Sequence, residues 1–149
     1  MTDERFEISL PGSPRHLRVV RSFLEMLAAH SPEVLLGPQA IIGIQLAVQE
    51  ACINAIRYGE SGRLDARVRV VFIVGPESLT VEVRDHGPGF DPDGIPPPDP
   101  ELLREGGYGV HIMKQGVHRV EARRESGEFV LSLTRYYDDA RMAHAIRGT

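Results

Sequence analysis

The stretch SLTVEVRDHGPGF, residues 78–90, decides how this chain reads. Its first part alternates, with Leu79, Val81 and Val83 on one side and Thr80, Glu82 and Arg84 on the other. Strand side chains alternate with a period of two, so Asp85 comes up on the apolar side. A carboxylate aimed at a core is costly unless hydrogen bonds compensate it. Gly87 and Gly89 follow within four residues, where the backbone must turn sharply or admit a close neighbour. Two readings fit. In one, Asp85 caps its own turn, as aspartate does in many Asp-x-Gly-x-Gly loops. In the other, it accepts a hydrogen bond from a buried amine such as that of adenine, while the glycines let backbone lie against a flat ring.

Working outward, residues 62–75, GRLDARVRVVFIVG, read as a strand with Val68, Val70 and Phe72 on one face. Gly75, Pro76 and Glu77 turn it into the strand that ends at Asp85. Upstream, a long helix is expected from about Gln39 to Tyr58, stopped by Gly59. Before it, Ser13 as cap and Pro14 at the first helical position open another helix, with Leu17, Val20, Leu24 and Leu27 at helical spacing. Residues 5–10 alternate weakly, as an edge strand does.

Downstream, residues 91–105 carry five prolines and few apolar residues. Loops of this length in compact domains often act as lids. A glycine pair then opens a short helix that Gly116 closes. Two more alternating runs follow, joined through Glu125, Ser126 and Gly127. Helices come early and strands late, which points to an α+β fold: a two-layer sandwich with helices on one face of a mixed, mostly antiparallel sheet. We expect one domain over residues 1–137 and a short tail, 138–149, that can fray.

Composition bounds the function. The 149 residues are 42% hydrophobic and 26% charged, ordinary for a globular domain. A net charge of −4 gives no footprint for direct nucleic-acid binding. Cys52 is the only cysteine, which excludes an internal disulfide and a cysteine-rich metal site. No signal-peptide pattern and no membrane-spanning apolar run is read, so a cytoplasmic location without membrane association is the expectation.

The long helix carries a second cluster. Glu50 and Asn54 stand four apart and share one face, with Arg57 near the same stripe and Leu46 and Ile53 flanking it. One reading is a solvated polar patch. The other is a chemical site, with Asn54 as a neutral oxygen ligand for magnesium, Glu50 as general base and Arg57 beside phosphate. Gly107, Tyr108, Gly109 and Val110 form a third element, in which glycines at a helix start either allow an anion to approach the backbone amides or merely provide a hinge. Neither a Walker loop nor a Rossmann fingerprint is present.

The order of these elements resembles the GHKL, or Bergerat-fold, ATPases, the group of DNA gyrase, MutL, sensor histidine kinases and the anti-sigma factor serine kinases. The resemblance rests on Glu50 to Asn54, on Asp85 to Gly89, and on Gly107 to Gly109, and it runs from the first helix to the final hairpin. It implies ATP and magnesium as cofactors. Asp85 would read adenine, Asn54 would bind the metal, Glu50 would activate the nucleophile and residues 91–106 would form the ATP lid. The short chain, with FEISLPGSPRHLRVVRSFLEML followed by LAVQEACINAIRYG, looks most like the anti-sigma factor serine kinases. That likeness implies a sigma factor and a STAS-fold anti-anti-sigma protein as partners, phosphorylation of a serine on the latter, and a homodimer. A nucleotide-gated adaptor without phosphotransfer and a detached histidine-kinase ATP-binding domain are the alternatives. Tyr58 stands where the anti-sigma group often has histidine, His86 fills a variable position, and Val110 stands where leucine is commoner.

Overall fold

The computed structural model describes residues 3–59, 66–96 and 108–138. Strand β1 (Glu4–Pro11) leads through a single 3-10 turn at Pro14–His16 into α1 (Leu17–His30) and then α2 (Pro38–Tyr58). The hairpin β2 (Arg67–Val74) and β3 (Ser78–Asp85) follows. After a short 3-10 turn at Pro92–Gly94 come α3 (Tyr108–Gly116) and the hairpin β4 (Arg119–Glu125) and β5 (Glu128–Tyr136).

The five strands form one sheet in the order β1-β2-β3-β5-β4. Every pairing is antiparallel, so the sheet is purely antiparallel rather than mixed. The register carries the alternation of residues 78–85 across the sheet. Val81 lies between Phe72 of β2 and Leu133 of β5, and Val83 between Val70 and Leu131. These side chains are buried against the helices. Each contributes about 1.5–3 kcal/mol relative to exposure. Phe23 of α1 reaches Phe6 and Phe72, which seats that helix on β1 and β2. The helices therefore cover one face only, as the sequence pattern implies.

One expectation needs correction, and two placements were not readable from the sequence. Ser13 makes no side-chain cap; its carbonyl accepts from the His16 N–H, and the α-helix proper starts at Leu17 after that tighter turn. Leu46 is 49% exposed, because α1 packs near Gln45 and α3 packs on Gly43, leaving the side of α2 between them uncovered. Glu82 and Arg84, on the face away from the helices, are buried rather than solvated. Long charged side chains from neighbouring strands lie over them.

Two further details concern a turn and a core position. Ser126 and Gly127 both have positive φ, the two-residue turn that matches the twist of a hairpin and sets the β4–β5 register. Cys52 is fully buried on the core side of α2, and burial pushes its thiol up to about 12, so it packs as a small hydrophobe. Among the described residues α2 alone has the length and hydropathy of a membrane span. Here it packs on the sheet, and its polar stripe lines a cavity.

Candidate functional site

A cavity of about 680 Å3 opens between α2, α3 and the end of the central strands. Glu50, Asn54, Arg57 and Tyr58 line it from α2, and Val83 and Asp85 from β3. Gly89, Phe90 and Ile95 border it after β3; Tyr108, Gly109 and Val110 contribute from the start of α3, and Phe129 and Leu131 from β5.

The sheet register explains why Asp85 arrives there. It continues the buried face of β3 and stands across from Phe129 at the very end of the ladder. It is only 7% exposed. Its Oδ1 accepts a 2.7 Å hydrogen bond from the Gly87 N–H. No hydrogen bond among the described residues ends on Oδ2. Both sequence readings are thus partly met: the aspartate caps its own turn with one oxygen and lines the cavity. Burial pushes the carboxyl above its ordinary range. The Gly87 N–H and the charges of Arg124 and His86 oppose that rise, and Glu128 adds slightly to it.

The glycines have distinct reasons to be there. Gly89 has φ +73°, and a β-carbon on it would collide with the ring of Phe129. Gly87 does not line the cavity. It lies behind the turn, where a β-carbon would come 2.6 Å from the Gly59 Cα and 2.8 Å from the Tyr58 carbonyl. It therefore lets the turn close onto the end of α2, which brings Asp85 and the Glu50–Asn54 stripe to one cavity.

On α2, Glu50 and Asn54 are half-buried one turn apart. The start of α3 lies directly against them: a β-carbon on Gly109 would sit 3.0 Å from Glu50 Oε2 and 3.9 Å from Asn54 Nδ2. Arg57 is exposed and stacks over the Tyr58 ring at 5.9 Å. Tyr58 itself is 57% exposed at the rim. Of the residues expected in the site, Glu50, Asn54, Arg57, Asp85, Gly89, Tyr108, Gly109 and Val110 share the cavity, Gly87 supports it from behind, and Gly107 lies outside the described residues. Most of the expected lid, residues 97–106, also lies outside them.

Sequence reading missed Phe129, Leu131, Phe90 and Arg124. Phe129 and Leu131 alternate in EFVLSL, yet only the β3–β5 register puts them beside Asp85. Phe90 packs on Phe129 at 5.6 Å. Arg124 donates to the Gly87 carbonyl at 2.8 Å. No local pattern announces either contact.

The chemistry available is defined. A buried carboxylate with an open oxygen, set among Val83, Phe129 and Leu131, suits a flat heterocycle bearing an amine. A second carboxylate stands beside an amide and a helix N-terminus, a combination that suits proton transfer next to an anion.

The comparisons place the chain in a family. The family model of the histidine kinase-like ATPase domain matches residues 10–135. The serine-protein kinase RsbW of Bacillus velezensis is 30% identical over 93% of this chain and 89% of its own. The protein of that name from Bacillus pumilus is 28% identical over 96% and 92%, and that from Listeria monocytogenes 25% over 91% and 89%. Among solved structures, the RsbU and RsbW domains of a Mycobacterium tuberculosis protein superpose with a TM-score of 0.62 at 18% identity, over 89% of this chain and 32% of that one. The histidine kinase domain of a blue-light activated kinase from Erythrobacter litoralis gives 0.54 at 19%, over 92% and 65%. These two likenesses concern the fold. The chain belongs to the histidine kinase-like ATPase domain family, with the Bergerat fold that its sequence resembles.

Proposed function

We propose that this chain is an ATP-dependent serine-protein kinase of the anti-sigma type, which phosphorylates a serine on a STAS-fold anti-anti-sigma partner in the cytoplasm. The observation that carries the reading is the convergence of Glu50, Asn54 and Asp85 on one cavity from two elements far apart in sequence. The relatives named as serine-protein kinases support the activity. The sigma factor, the STAS partner and a homodimer come from the likeness of the sequence to the anti-sigma kinases.

In this reading Asp85 Oδ2 accepts the exocyclic amine of adenine, and Val83, Phe129 and Leu131 pack around the ring. The phosphates run toward the N-terminus of α3, where the amides of Tyr108 to Val110 and the helix dipole favour negative charge. Arg57 adds a cation at the rim. The likeness to the family assigns the ATP lid to residues 91–106, most of which lie outside the described residues.

The donor set fits magnesium. Among the described residues no group of three His, Cys, Asp or Glu could hold a metal by protein alone. One amide oxygen, from Asn54, suits an ion that takes its other ligands from phosphates and water. When bound, magnesium would neutralise phosphate charge, with Asn54 as the residue that holds it. Glu50 takes the proton of the partner's serine hydroxyl as its Oγ bonds to the γ-phosphorus. The bond from that phosphorus to the β,γ-bridging oxygen breaks, and ADP leaves.

The test is transfer from γ-labelled ATP with magnesium to the serine of the cognate STAS protein. Acid-stable phosphoserine is expected, and Glu50→Gln should slow its formation about 100-fold or more while ATP affinity holds. Acid-labile phosphate, no transfer, or a Glu50→Gln variant as fast as the parent contradicts the proposal.

A further inference from the structure

Neighbouring arginines on the edge strand β4 face opposite sides of the sheet. Arg123 donates to Glu82 at 2.6 Å and to Glu125 at 2.9 Å, within the charged face away from the helices. Arg124 turns toward the cavity side. Among the described residues no carboxylate forms an ion pair with it, although Glu125 is its neighbour in the chain. Its Nη2 donates instead to a backbone carbonyl, that of Gly87, at 2.8 Å. Its guanidinium also lies over the Phe129 ring, 5.8 Å from the centroid.

These two contacts hold both halves of the Asp85 turn. The Gly87 residue is fixed at each end, its N–H donating to Asp85 Oδ1 and its C=O accepting from Arg124. Phe129, beneath the guanidinium, is the ring against which Gly89 lies and on which Phe90 packs. Arg124 is exposed and sits at the sheet edge, so the fold does not need it for burial. Its contacts concern one thing, the orientation of the loop that aims Asp85.

We propose that Arg124 is a positioning residue for purine selectivity, clamping the Gly87 carbonyl and Phe129 so that the open oxygen of Asp85 meets a 6-amino rather than a 6-oxo purine. The inference rests on the reading that Asp85 accepts the adenine amine. A fixed carboxylate rewards an amine and repels a carbonyl oxygen at that position. A loose one swings away from the carbonyl and discriminates less, because selectivity is a difference of two affinities. The guanidinium meets both contacts at once because it is flat and multiply donating, which an ammonium is not.

The experiment compares binding of ATP and of inosine triphosphate, each with magnesium, by isothermal titration to the parent, Arg124→Met and Arg124→Lys. The parent should prefer ATP. Arg124→Met should weaken ATP about 10-fold, the scale of one hydrogen bond to a charged group, while inosine triphosphate changes little, so the preference shrinks by the same factor. Arg124→Lys should restore part of it, since an ammonium can still reach the carbonyl. The melting temperature without nucleotide should be the same in all three. Equal weakening of both nucleotides, or an unchanged preference in Arg124→Met, overturns the proposal while leaving the Asp85 reading intact. A parent that binds the two alike overturns both.

Discussion

Each face of the sheet buries a carboxylate on β3, and the two are treated in opposite ways. Glu82, on the face without helices, has both oxygens engaged: Oε1 accepts from Arg84 at 2.9 Å and Oε2 from Arg123 at 2.6 Å. Burial raises its pKa, but those arginines outweigh it and hold the carboxyl below the ordinary value. Arg84 in turn reaches Glu125 and Glu128, and Arg69 ties Glu128 to Glu7, so the network closes on itself. Asp85, three residues on, has one oxygen engaged by its own turn and no ion pair among the described residues, and its carboxyl is raised. The difference separates structure from function. A buried acid whose hydrogen bonds are complete holds strands together; one whose hydrogen bonds are incomplete, at the wall of a cavity, is ready for a ligand.

The largest effect expected on the Glu82 side is on the fold alone. Glu82→Gln replaces the charged partner of the buried Arg84 with a neutral amide, leaving the longer contacts to Glu125 and Glu128 as its ion pairs, and should lower stability by about 3 kcal/mol, the lower end of the range for breaking a buried pair. Chemical denaturation measures it. The affinity of the folded variant for ATP should be unchanged; a large loss of affinity would erase the distinction between the two faces.

A smaller effect is the order of two acid transitions. The depressed Glu82 contributes stability that is present above its unfolded value, 4.5, and is lost as pH falls through its lower folded pKa. Asp85 has the opposite sign: its ionised form burdens the fold, and that burden lifts as pH falls through its raised pKa. Protonation there also removes the acceptor that the adenine amine needs. ATP affinity should therefore fall at a higher pH than does the stability of the nucleotide-free fold. Titrations of binding and of thermal unfolding across the acidic range check this. Simultaneous loss would assign both transitions to one group.

What the sequence made legible were the quantities with a local period. Alternation over residues 78–85 placed Asp85 on the buried face without any knowledge of its neighbours. Helical spacing put Glu50 and Asn54 on one stripe, and the glycine pattern marked where the chain turns. What it could not supply was coverage and register. Alternation assigned Glu82 and Arg84 to the face away from the helices, yet whether that face is wet depends on the long side chains of β2, β4 and β5 lying across it. Likewise Phe129 and Arg124 enter the site only through pairings with residues far away in the chain. Such pairings are set by the turns and by packing as a whole, and no short stretch encodes them.

The central claim is that Asp85 is the ligand-ready carboxylate. Isothermal titration of ATP with magnesium against Asp85→Asn tests it most directly, because the substitution keeps the shape and removes the charge. Loss of a charge-assisted hydrogen bond to the base, with an amide now able to face an amine, should raise Kd about 10- to 100-fold. The nucleotide-free melting temperature should not fall, since the substitution removes a buried charge that burdens the fold and keeps an oxygen to accept from the Gly87 N–H. An Asp85→Asn variant that binds ATP as tightly as the parent would contradict the account.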